Sequence, residues 1–247
     1  MCDFNRTHNG QIRVCTFFGA AGRGVLENDG VRELANTMFD RFTRWFRTEA
    51  IATPEALESF LDSRAAFMAQ KCVFEYCRAR SGALSMKLFK EKAFLEALHH
   101  SRWTSYSLVY CDVAEAVEGV LRPHAGGSVR ELAQALVHMG ERTFASHGLP
   151  EGAPDDFWTG AVERLETRLA QAQLHAPRPV GDIPKTEIEA VLATLPIHPS
   201  IRGHDFELLQ NHLRINLVRI YEDFLARAAP ARLGAQLSPE PHDSPAA

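Results

Sequence analysis

Residues 53–100, TPEALESFLDSRAAFMAQKCVFEYCRARSGALSMKLFKEKAFLEALHH, hold two helical patterns separated by one breaker. Thr53, Pro54 and Glu55 read as an N-cap, a first-turn proline and an acid at a helix start. The cap accepts an unpaired backbone N–H, and the acid meets the positive end of the helix dipole. Leu57, Phe60, Leu61, Phe67, Met68, Cys72 and Phe74 recur at helical spacing, which predicts a helix to about Arg80. Ser81-Gly82 breaks it, and a second helix is predicted over roughly Leu84 to His100. So short a connection makes the two helices an antiparallel αα-hairpin.

The same periodicity extends in both directions. Val31, Leu34, Ala35, Met38, Phe39, Phe42, Trp45 and Phe46 fall within about 140° of arc on an earlier helix. After the hairpin, a helix is predicted from Ser101 to Arg122, stopped by Pro123 to Gly127. Ser128 with Glu131 forms a capping box that opens a helix ending near His147-Gly148. Asp155 to about Leu174 gives another, and Pro177, Pro179, Gly181 and Pro184 form a linker before a short helix with Ile188, Val191, Leu192 and Leu195. The last long helix, about Ser200 to Ala228, is apolar over most of its circumference and reads as central. Only Ile12 to Phe18 is strand-like, and it has no partner strand.

The expected architecture is therefore a single all-α domain at 27–228, a bundle of seven or eight helices with the hairpin packed on the long C-terminal helix. Residues 1–26 are expected to be a flexible lead-in, and the Pro-, Ala- and Ser-rich 229–247 a disordered tail.

Composition narrows function only by exclusion. The 247 residues are 45% apolar and 23% charged with a net charge of −4, which disfavours a broad nucleic-acid or anionic-membrane footprint. Five cysteines, an odd number, do not suggest a disulfide framework in a chain of this length. The start, MCDFNRTHNG, has neither the basic nor the apolar region of an export signal, and no run is long enough to span a membrane. A cytoplasmic location is expected. The few lysines (Lys71, Lys87, Lys90, Lys92, Lys185) among many arginines suggest a GC-rich bacterial source.

Motifs that carry chemistry are incomplete. Gly19, Gly22 and Gly24 follow the strand-like run as G-x-x-G-x-G, the wrong order for a dinucleotide loop and without the βαβ units it needs, so no nucleotide is expected. Cys72 and Cys77 point about 140° apart and cannot share a metal. Glu96 and His99 supply one E-x-x-H of the two that a di-metal bundle requires, which makes metal a minor alternative. His204, Glu207 and Asn211 share a face at the start of the last helix, opposite its core side. Arg41, Arg44 and Arg47 read as a solvated face.

Charges inside apolar arcs are the one anomaly. Arg64, Lys71, Glu75 and Arg78 interrupt the first hairpin helix, Lys87 and Glu91 the second, and Glu207, Gln210, Arg214 and Tyr221 the last. Counting outward from the turn brings Glu75 level with Lys87 and Lys71 level with Glu91, so two cross-hairpin ion pairs are predicted. Buried charges must be paired, solvated or met by a ligand. Lys71, Glu75, Arg78, Lys87, Glu91, Glu207, Gln210, Arg214 and Tyr221 are thus the candidate ligand-binding seam, suited by its arginines to an anion. The resulting expectation is a non-enzymatic binding or regulatory module for a protein partner, a second copy or a small anionic ligand. The alternative is an all-α enzyme with Glu75, Glu91 or Glu207 as acid/base and Arg78 or Arg214 holding an anionic substrate.

Overall fold

The computed structural model describes residues 49–186, 188–202 and 205–239. The readings made for 1–48, for His204 and for 240–247 lie outside the described residues. Within them the chain is all-α, as expected. The helices are α1 (Pro54–Ser81), the single turn α2 (Ser85–Leu88), α3 (Lys92–Leu121), α4 (Val129–Ser146), α5 (Phe157–Ala172), α6 (Ile188–Thr194), the single turn α7 (Pro199–Arg202), α8 (Asp205–Arg227) and α9 (Pro230–Leu237). No helix among the described residues is long and apolar enough to cross a membrane.

Helix starts follow local chemistry. The Thr53 hydroxyl accepts from the Ala56 N–H at 3.3 Å, and Ser128 and Glu131 complete the reciprocal capping box. α1 ends at Gly82, whose φ of 52° is strained for any residue with a Cβ.

The second arm of the hairpin departs from the sequence reading. The chain breaks at Phe89 to Glu91, and α3 then runs without interruption through His100 and Ser101. The break is fixed by tertiary packing: the Phe89 ring sits edge-on to Phe74 at 4.9 Å and to Phe94 at 5.2 Å. Ser101 is no cap, for its buried hydroxyl meets Thr194 Oγ1 on α6 at 3.1 Å.

α3 is the central element, in place of the C-terminal helix. From Ser105 to Glu118 every residue is buried, and α3 packs against α1, α4, α5, α6, α8 and α9. α8 keeps a narrower core stripe of Leu209, Leu213, Leu217, Ile220 and Phe224, while its Leu208, Ile215 and Leu225 are exposed. α1 runs along it, with Arg64 bonded to Asp223 at 2.6 Å and the Tyr76 hydroxyl donating to Asp205 at 2.6 Å.

Residues 230–237 correct the expectation of a disordered tail. They form α9, which buries Leu233 and Leu237, and the Gly127 N–H donates to the Ser238 carbonyl at 2.9 Å. Two leucines four residues apart are too few for a visible period, and the docking is decided by the partner surface. Gly234 lies so close to the His124 carbonyl that a Cβ would collide with backbone. Gly234→Ala is therefore expected to cost about 1–3 kcal/mol by overpacking. Chemical denaturation measures it, and a stability equal to that of the parent would contradict the docking.

The fold disfavours the charged form of two imidazoles. Burial, with Arg102 nearby, lowers the His99 pKa, and its Nε2 accepts from the Trp103 indole at 3.1 Å; burial also lowers His212. The unfolded chain takes up these protons first as pH falls below the ordinary value of 6.5. Their stabilising contribution is complete above that value and is lost as pH falls toward the depressed folded pKa values. Thermal melts should show a lower Tm at about pH 5.5 than at about pH 7.5; an equal or higher one would refute the assignment.

Candidate functional site

The nine seam residues do not converge. Arg78, Lys87, Glu91, Glu207 and Arg214 are exposed, and Lys71 lies with its ammonium 5.5 Å from the centroid of the Phe67 ring. Glu75 meets His212 at 3.4 Å instead of Lys87, and neither predicted cross-hairpin pair forms. The cause is the break at Phe89: Lys87 belongs to a separate turn and Glu91 becomes the residue before α3, which ends the helical register assumed across the hairpin. Gln210 is half-buried on α8. Of the charges that interrupt the α1 arc, only Arg64 is buried. Tyr221 alone reaches the cavity described below, and Arg214 packs against Gly181 beside it. Glu96 pairs with Lys92 at 3.5 Å on the surface and shares no site with His99.

The buried charge lies on α3. Asp112, Glu115 and Glu118, spaced three apart, occupy one face with exposures of 0%, 4% and 0%. Each is met by a guanidinium. Arg168 of α5 donates to Glu115 and, at 3.0 Å, to Asp112; Arg178 forks onto Glu115 at 2.8 and 2.7 Å; Arg122 forks onto Glu118 at 2.9 and 2.6 Å. The signal was present in the sequence as three acids at three-residue intervals inside CDVAEAVEGVL, residues 111–121. The Glu118 partner, Arg122, stands four residues on, but those of Asp112 and Glu115, on α5 and in the proline-rich linker, leave no local trace.

The linker is consequently a strap closed over α3. Arg122 donates to the carbonyls of His175 at 2.7 Å and Ala172 at 3.0 Å, and Arg168 to that of Ile183 at 3.0 Å. Gln173 reaches Glu118 at 3.0 Å. Gly119 leaves room for Pro177, whose Cβ would stand 3.2 Å from a Cβ at that position.

Between strap and helix lies a cavity of about 290 Å³, with Glu115, Glu118, Arg122, His175, Arg178 and Tyr221 as its polar lining. Glu115, Glu118 and Arg122 are engaged in the bonds given above. Three are not: Nη1 of Arg178, the hydroxyl of Tyr221 and Nε2 of His175 make no hydrogen bond among the described residues. The first two are donors, and the Nδ1 of His175 lies 2.8 Å from the Ala176 carbonyl.

A second polar cluster is closed. The Tyr106 hydroxyl donates to Asp62 Oδ1 at 2.8 Å and His147 Nε2 lies 2.9 Å from the same oxygen, beneath Trp103 and Trp158. Among the described cysteines, Cys72 and Cys77 offer no ready nucleophile, because burial pushes Cys77 up to about 12 and raises Cys72 as well. No group of three or more His, Cys, Asp or Glu among the described residues is arranged to hold a metal ion. Comparison with protein-family models, with curated proteins and with solved structures finds no match to this chain.

Proposed function

We propose that the protein is a non-enzymatic helical binding or regulatory module whose ligand, a small anion, enters the cavity between α3 and the strap. One observation carries the reading: the donors left unengaged on residues that line that cavity are a guanidinium edge of Arg178 and the phenol of Tyr221, which together favour an acceptor-rich ligand. An enzyme has less support. Glu115 and Glu118 already accept from arginines, and Glu75, Glu91 and Glu207 stand exposed on separate elements. The same guanidiniums compete with any cation for the carboxylates, which disfavours a di-metal centre. Three free, buried cysteines suit a reducing compartment, in keeping with the cytoplasmic expectation.

Anion binding to the folded state alone raises Tm, with a stabilisation that grows as the logarithm of anion concentration above Kd. Titration with inorganic phosphate and with short carboxylates should therefore stabilise the protein. Arg178→Lys, which keeps a charge beside Glu115 but removes the free fork edge, should weaken binding about tenfold or more. A chain that no anion stabilises would end this reading.

A further inference from the structure

We infer that the ligand of this cavity is a monocarboxylic acid with a compact apolar body, an inference that rests on the anion-binding reading above. The charge around the cavity is already balanced. Asp112, Glu115 and Glu118 face Arg122, Arg168 and Arg178, and Arg214 beside Gly181 is offset by Asp182 on the strap, so a polyanion would meet as many carboxylates as guanidiniums. A single negative charge needs only what is unengaged: the Arg178 edge and the Tyr221 hydroxyl are donors on residues that line the same cavity.

Size and wall chemistry agree with this. A volume of about 290 Å³ matches roughly ten waters at ~30 Å³ each, hence a ligand of about ten non-hydrogen atoms. Free phosphate, with half that number, leaves the rest of the space to water. That remainder is bounded by the side chains of Ala116, Ala172, Pro177, Val180 and Ile183, which offer carbon alone. Such a wall returns free energy only to a ligand that covers it with carbon. One charged end and one hydrocarbon end follow from the two halves of the lining.

Calorimetric titration of the full chain with straight-chain carboxylates from acetate to decanoate, and with inorganic phosphate, tests the inference. Affinity is expected to rise about fourfold per added methylene until the cavity is filled at about eight carbons, and to stop rising beyond it. Phosphate should bind more weakly than octanoate. Tyr221→Phe should weaken octanoate about tenfold and leave Tm unchanged, because the hydroxyl has no partner among the described residues to lose. Phosphate binding without a chain-length trend would overturn this inference and leave the anion site standing. Octanoate affinity unaffected by Tyr221→Phe would overturn it too, by putting the acid elsewhere, and no binding by any probe would remove both readings.

Discussion

Arg168→Met is expected to remove about 3–5 kcal/mol of stability, the cost of taking a guanidinium from buried Asp112 and one of two from Glu115, which keeps Arg178. The Arg168 side chain is 6% exposed, and it bonds Glu115, Asp112 and the Ile183 carbonyl at once. Methionine fills much of the volume and supplies none of the donors. Asp112, with an exposure of 0%, then loses a charge-assisted bond in a place that water does not reach. Equilibrium urea unfolding measures the loss. Adding Asp112→Asn and Glu115→Gln should recover more than half of it, because the charges that needed Arg168 are then gone. A single variant within about 1 kcal/mol of the parent would show that the acids have another counter-charge, and the strap could not then be tied to α3 as described.

Phe144→Ala should cost a similar amount, about 3–5 kcal/mol, by a different route. Phe144 is fully buried, stacked on Trp158 with centroids 5.2 Å apart and planes 10° from parallel, and it meets the edges of Tyr110 at 4.8 Å and Tyr106 at 6.0 Å. Truncation leaves a void among rings whose positions are fixed by neighbours on α3 and α5, so little collapse is available to fill it. At roughly 2–4 °C per kcal/mol for a domain of this size, Tm should fall by about 10 °C. Trp158 reports the change directly, and its emission should shift as the stacked face opens. A Tm drop below about 3 °C would mean that the cluster repacks freely.

Elements governed by adjacent residues were legible in the sequence. The caps at Thr53 and Ser128 and the stop at Gly82 depend on chemistry within a turn of the helix end, and they occur where the pattern puts them. The break at Phe89 depends on Phe74 and Phe94 meeting across space, so the pattern ran a helix through it. The candidate site was displaced for a related reason. Charged residues at the margin of an apolar arc can lay their stems on the core and keep their heads in water, as Lys71 does over Phe67. Burial of Asp112 and Glu115 required counter-ions from α5 and the strap, which no helical wheel of one element contains. Tyr221, which interrupts an otherwise apolar face of α8, is the one seam residue on the lining of the cavity.

The carboxylate row on α3 also orders events during synthesis. Asp112 and Glu115 emerge 53 to 63 residues ahead of Arg168 and Arg178 in the pairs they will form. At about 5–20 residues per second, the ribosome keeps these acids without their cations for several seconds. During that interval the face of α3 that ends most deeply buried is the one that most needs solvent. A nascent chain ending before α5 has no low-energy way to close its own centre, so compaction waits for the second half and the domain is committed to folding as one cooperative unit.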